Sequence, residues 1–265
     1  MRRRAVTSIL ASEVVSDVAQ RLERPGIDIM PVKGALFQHW LYDDPAERAM
    51  SDVDVLVRSD QARVAYAILQ RAGYRPMGRS RIGAFVMRSP FGLALDLHSQ
   101  LFDRTRYKLP TADVFSRSSP DRALFGALVR LPSPLDAYAH LIGKFGSDHL
   151  NAGSKERLDE IARMPGRIEA SPDIVARHLV HCGMRRVARY VLPLVSETVG
   201  DPFAARVLGH LPRDPVGETV ASIARPVLAH AGPYSRIGAI TAHLLNDSLP
   251  RGLRSGVRSL VAHSR

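Results

Sequence analysis

The stretch MSDVDVLV, residues 50–57, constrains the fold more than any other part of the 265-residue chain. From Asp52 onward it reads as a strand that turns apolar. Residues i and i+2 of a strand share a face, so Asp52 and Asp54 stand side by side, while Val53, Val55 and Val57 point the other way, into a core. Two carboxylates held at that spacing repel unless one is protonated or a cation lies between them. Oxygen-only ligands suit a hard divalent cation, Mg²⁺ or Mn²⁺. The strand is therefore a core element and a candidate metal edge at once.

A third acid strengthens this reading. In LALDLHS, residues 93–99, Leu93, Leu95 and Leu97 share one face and Ala94, Asp96 and His98 the other. Asp96 is a lone carboxylate on an otherwise apolar strand. If the two strands are neighbours, Asp52, Asp54 and Asp96 converge. Three carboxylates can hold two metal ions about 3.5–4 Å apart, the arrangement that supports in-line phosphoryl or nucleotidyl transfer. Asp96 is then the best placed general base, or a ligand of the ion that activates the attacking hydroxyl. Upstream, PVKGALFQHW passes from a strand through Lys33-Gly34 into a helix. A helix N-terminus suits phosphate, Gly34 lets the backbone come close, and Lys33 adds a full charge.

The rest of the chain falls into two textures. Residues 5–23 have helical spacing and end at Pro25-Gly26. IDIMPV, 27–32, is a short extended segment that Pro31 marks as an edge strand. Residues 35–42 read as helix and 43–50 as loop. Ser59 and Asp60 offer an N-cap to an amphipathic helix closed by Gly73. GAFVMRS and LALDLHS flank Pro90-Phe91-Gly92 as a hairpin. Beyond about residue 130, strand signals give way to successive helices punctuated by Pro and Gly. The expectation is an α+β chain: a small mixed-sheet domain over residues 1–130 and an all-helical domain over 131–265.

This combination resembles the uncharacterised nucleotidyltransferase family of the DNA polymerase β-like superfamily. The resemblance rests on Lys33, Gly34, Arg48, Ser51, Asp52, Asp54, Gly73, Tyr74, Asp96 and His98. It runs from about Val32 to His98 and continues more loosely into PSPLDAYAHLIGKF, which is similar to the first helix of that family's helical domain. The superfamily usually has Gly-Ser where this chain has Lys33-Gly34. The resemblance implies a metal-dependent enzyme that moves NMP from an NTP, ATP included, to an acceptor hydroxyl or phosphate and releases pyrophosphate. It implies Asp52, Asp54 and Asp96 as catalytic metal ligands, and Lys33, Gly34, Arg48, Ser51 and His98 as nucleotide-binding residues; Lys144, on the first helix of the second domain, is a further nucleotide-binding candidate should that domain close over the nucleotide. The helical domain is expected to shape the acceptor site, the acceptor being a small molecule, a peptide or tRNA.

Other readings stand beside these. Arg48 either steers triphosphate or pairs with Glu47 or Asp44. His98 orients Asp96, contacts substrate or is a structural histidine. Lys144, on a helix of the second domain, meets phosphate or stays on the surface. A calcium loop needs more oxygen ligands and a glycine at fixed offsets, which Val55–Val57 exclude. A DxD glycosyltransferase leaves Lys33-Gly34 and Asp96 without a role. His140 and His149, around Lys144, lack metal-site spacing, and His178, His181 and Cys182 read as helix packing. No Walker A loop, dinucleotide-binding glycine pattern or CxxC pair is present.

The net charge of +11 favours polyanionic partners and leaves a tRNA-modifying, toxin-like enzyme as an alternative. An inert nucleotide-sensing module is a second alternative, against which the full acid set argues. The basic, acid-free stretch 250–265 reads as a solvated tail. One cysteine, Cys182, and the absence of an apolar run near the ~18 residues of a membrane span fit a cytoplasmic setting.

Overall fold

Six buried residues on α1 (Arg2–Glu23) recur with helical spacing: Ala11, Val14, Val15, Val18, Ala19 and Leu22. They form the stripe against which a sheet can pack. The computed structural model describes residues 2–80, 83–103, 105–149, 155–230 and 243–248. The basic stretch 250–265 lies outside them. Two compact units result, one of Met1–Phe102 with Pro110–Ser133, the other of Asp103–Leu109 with Pro134–Arg265. The segment Asp103–Leu109 thus groups with the helices, although it lies within the 1–130 range read from sequence.

In the first unit α1 is followed by β1 (Ile29–Val32), α2 (Lys33–Trp40), a 3₁₀ turn at Pro45–Glu47, β2 (Asp52–Val57) and α3 (Ala62–Arg71). Then come β3 (Arg75–Arg79), β4 (Phe85–Arg88), β5 (Ala94–His98), α4 (Thr111–Ser116), β6 (Ser119–Asp121) and β7 (Val129–Leu131). Five strands form a mixed sheet in the order β1-β2-β5-β4-β3; only β2 and β5 run parallel, and β6 and β7 pair as a separate ribbon. Val53, Val55, Val57, Leu95, Leu97 and Met87 are buried in one apolar cluster with the stripe of α1 and with Ala65 and Leu69 of α3. The opposite face of β2 and β5 is left for the acids.

Pro31 lies on β1, the sheet's edge, where its missing N–H costs least. The loop that closes α3 uses Gly73 at φ 95°, a left-handed conformation that glycine adopts readily. Tyr74 N–H then reaches back to the Leu69 carbonyl at 3.0 Å, and the buried Tyr74 hydroxyl donates to Asp17 of α1 at 2.8 Å. The expected cap at the other end of α3 does not form through Ser59. Its hydroxyl donates to the Ser99 carbonyl at 2.8 Å and ties the end of β2 to the end of β5.

The second unit is helical: α5 (Pro134–Lys144), continuing into a π turn at Phe145–His149, α6 (Lys155–Arg163), α7 (Pro172–His181), α8 (Arg185–Val199), α9 (Pro202–His210) and α10 (Pro215–His230). Buried α8 packs on α5, α6, α7, α9 and α10. Cys182 is buried with its Sγ 3.6 Å from His178 Nε2, and that nitrogen lies 3.0 Å from Asp136 of α5. These residues tie α5 to α7, while His181 is exposed. The backbone of Gly146 lies so close to α8 that an added Cβ would stand 2.0 Å from Val187 Cγ2. Val187 is fully buried and β-branched and has little room to move. Gly146→Ala is therefore expected to cost about 1–3 kcal/mol in overpacking, more than the ~1 kcal/mol that alanine gains in helix propensity. The check is a urea midpoint: it should fall, and an unchanged or raised midpoint would show that the contact relaxes freely.

Candidate active site

The register of the sheet builds the site. Val32, Asp54, Asp96 and Val86 face one another across β1, β2, β5 and β4. One rung along, Met30, Leu56 and His98 form the next row, and on the other side Asp52 lies opposite Ala94. Met30 and Leu56 are fully buried and make an apolar floor. The acids grade from buried Asp54 to half-buried Asp96 and Asp52, and the neighbouring Ser51 is exposed.

Asp54 is the hub. Its Oδ1 accepts from Lys33 Nζ at 2.5 Å and lies 2.7 Å from His98 Nε2. His98, named above as a partner for Asp96, reaches instead across the parallel strand pair to Asp54. The Lys33 ammonium also lies 3.4 Å from His98 Nε2. Burial alone would push the Asp54 carboxyl up, but the His98 hydrogen bond and the Lys33 charge outweigh it and hold Asp54 well below the usual carboxylate range. Asp96 is displaced the other way: burial, and next the adjacent Asp54 charge, push it up. Neighbouring carboxylates are thus driven apart in proton affinity, as acid–base sites require.

Lys33 opens α2 at φ 50°, the sole positive φ outside glycine among the described residues. The cap residue Val32 is extended and makes no side-chain hydrogen bond to the first turn of α2. Gly34 follows, and a Cβ there would meet Arg48 Nη1 at 2.5 Å and Met50 Sδ at 2.9 Å. The space over Gly34 is filled by these two side chains. Arg48 is buried, so its guanidinium belongs to the packing of the α2 entrance. Asp44 caps the 3₁₀ turn, accepting from Ala46 N–H at 2.9 Å. Ser51 donates to Asp52 Oδ1 at 3.1 Å. Lys144 ends α5 in the second unit, half-buried.

Asp54, Asp96 and His98 each offer a ligand atom, and these three atoms lie within 4.8 Å of one another. The donor set, two carboxylates and an imidazole, fits a divalent cation. Asp52 lies outside this compact group because its rung faces Ala94. The nitrogen donor could not be anticipated from acid spacing alone. The signal was present in the i, i+2 spacing of Asp96 and His98.

A mixed sheet with acids paired across its adjacent parallel strands, followed by a helical unit, is a nucleotidyltransferase-type fold. Residues 2–200 match the family described as uncharacterised nucleotidyltransferase, and the chain belongs to that family. Among solved structures it is similar to an antigenic nucleotidyltransferase-like protein from Paracoccidioides brasiliensis, with 20% identity and a TM-score of 0.45 over 72% of this chain and 92% of that one. It is also similar to the antibiotic-resistance factor ANT(2'')-Ia, with 16% identity and a TM-score of 0.39 over 79% and 91%. The Megavirus polyadenylate synthase aligns at 10% identity and a TM-score of 0.36 over 73% and 43%. No curated protein sequence matches the chain. No helix among the described residues is long and apolar enough to cross a membrane.

Proposed function

We propose that this protein transfers NMP from an NTP to an acceptor hydroxyl or phosphate and releases pyrophosphate, using a divalent cation, Mg²⁺ or Mn²⁺. The observation that carries the reading is the Asp54–Asp96–His98 donor group beside the uncapped entrance of α2. A bound divalent ion supplies Lewis acidity at the phosphates. Asp54, held ionised, is its anchoring ligand, and Asp52 adds a carboxylate at the rim. The acceptor oxygen bonds to the α-phosphorus as the bond from that phosphorus to the bridging oxygen breaks, and pyrophosphate leaves. With a hydroxyl acceptor, the proton goes to a carboxylate oxygen of Asp96, the half-buried acid opposite Asp54 on the neighbouring strand. The first-turn N–H groups of α2 and the Lys33 ammonium serve the triphosphate. Gly34 and Arg48 shape that turn by packing, and Ser51 holds Asp52 in place.

The test uses the full chain with each α-³²P-labelled NTP, Mg²⁺ or Mn²⁺, and either total tRNA or a small-molecule extract. Metal-dependent transfer of label is expected. A tRNA acceptor would show affinity falling steeply with salt, in keeping with the +11 charge; a small-molecule acceptor would not. Metal-dependent NTP binding without transfer to any acceptor would leave a nucleotide sensor. Absence of metal-dependent NTP binding would sink the proposal.

A further inference from the structure

We infer that Lys33 is an exchangeable counter-cation: its ammonium fills the metal position in the nucleotide-free protein and leaves when a metal–nucleotide complex arrives. The inference rests on the metal-dependent reading above. Lys33 Nζ lies 2.5 Å from Asp54 Oδ1 and 3.4 Å from His98 Nε2, between two of the three groups that make the compact donor set. A divalent ion drawing on Asp54 would stand a few ångströms from that ammonium, and like charges so close in a half-buried site repel strongly. The two cations compete for the charge of Asp54, so the ammonium on Oδ1 weakens the hold on the ion.

The backbone points the same way. A lysine at φ 50° adopts a conformation that glycine takes at far lower cost. That cost secures a side chain rooted at the mouth of α2 and reaching the acid. The Lys33 side chain is about a quarter exposed and Asp54 almost wholly buried, so the lysine is the partner able to swing. Its flexible four-carbon stem allows the motion. The triphosphate of the proposed substrate supplies the anion that takes up the displaced charge. Metal and nucleotide then bind with positive coupling, and the empty enzyme does not hold metal tightly.

The experiment is a titration of the full chain with Mn²⁺, followed by electron paramagnetic resonance, with and without a non-hydrolysable NTP analogue. Lys33→Met keeps the stem and backbone and removes the charge; circular dichroism verifies its fold, and Lys33→Ala repeats the comparison with a shorter side chain. Without nucleotide, Lys33→Met is expected to bind Mn²⁺ about tenfold or more tightly than the native protein. With the analogue, native affinity should rise markedly and that of the variant much less. Equal or weaker Mn²⁺ binding by both variants overturns the inference while leaving the metal site intact. No Mn²⁺ binding by native protein or variants, even with the analogue, overturns the inference and the metal-dependent function together.

Discussion

On the proposed metal-dependent reaction, Asp54→Asn is expected to lower nucleotidyl transfer by on the order of 10³-fold or more, because the Lewis-acid contribution then at stake is several kcal/mol and each ~1.4 kcal/mol is tenfold. Asp54 is the most buried acid of the site and the one on which Lys33 and His98 converge. An amide keeps the shape and an acceptor oxygen for His98, but it carries no charge to anchor a cation. The fold should survive. The apolar floor of Met30 and Leu56 is untouched, and Lys33, near the rim, regains water. Asp52→Asn is the informative companion. Asp52 lies outside the compact donor group, so its loss should cost less than that of Asp54. Transfer rates for the native protein and both variants, with thermal melts alongside, check this ordering. Native-rate transfer by Asp54→Asn would remove Asp54 from the chemistry.

The site was legible in sequence to the extent that it depends on strand periodicity. Asp52, Asp54 and Asp96 could be assigned to one face because β2 and β5 alternate cleanly, and Val53, Val55, Leu95 and Leu97 mark the other face by their burial. The His98 bond to Asp54 depends on parallel register, which places Leu56 beside His98 and Asp54 one rung away; periodicity along a single strand carries no such information. The tight packing of Arg48 over Gly34 was equally hidden, since a loop arginine looks solvated until the chain closes over it.

The same logic explains the elements missed. Arg75–Arg79 reads RPMGR, with Pro, Gly and two cations, yet it forms the far edge strand with a register shift between Pro76 and Gly78. All five residues are exposed, so no apolar alternation was required of them. Edge strands guarded by charge and irregularity avoid pairing with other chains, and that guards them from pattern recognition too. β6 and β7 have three residues each, and α4 has six, too few for a period to register.

In the helical unit the largest expected stability effect lies at Arg186, which carries no pattern signal at all. Its guanidinium is buried and donates to Asp214 at 2.8 and 3.3 Å and to the Asn246 carbonyl at 2.7 Å. Asp214 in turn accepts from Gly217 N–H at 3.1 Å at the start of α10. Asp247 accepts from the first N–H groups of α8, those of Arg185 and Arg186, at 3.0 and 2.7 Å. Arg186→Met is expected to cost on the order of 3 kcal/mol, because it removes the closest cation from a buried carboxylate and leaves it only Arg185 at 3.5 Å and the Gly217 N–H. Burial alone would raise Asp214, but Arg186, the Gly217 N–H and Arg185 together hold it below the usual carboxylate range. A carboxyl lowered in the folded state stabilises fully above its unfolded pKa of about 3.9, and that stability drains away as pH falls through the lower folded value. The urea midpoint of the native protein should therefore drop on acidification below about pH 4. Asp214→Asn should start lower at neutral pH and show a shallower acid loss, since the group that must be protonated is gone. Parallel acid limbs in the two proteins would mean that other carboxylates govern acid unfolding, and that the Arg186–Asp214 pair contributes through packing alone.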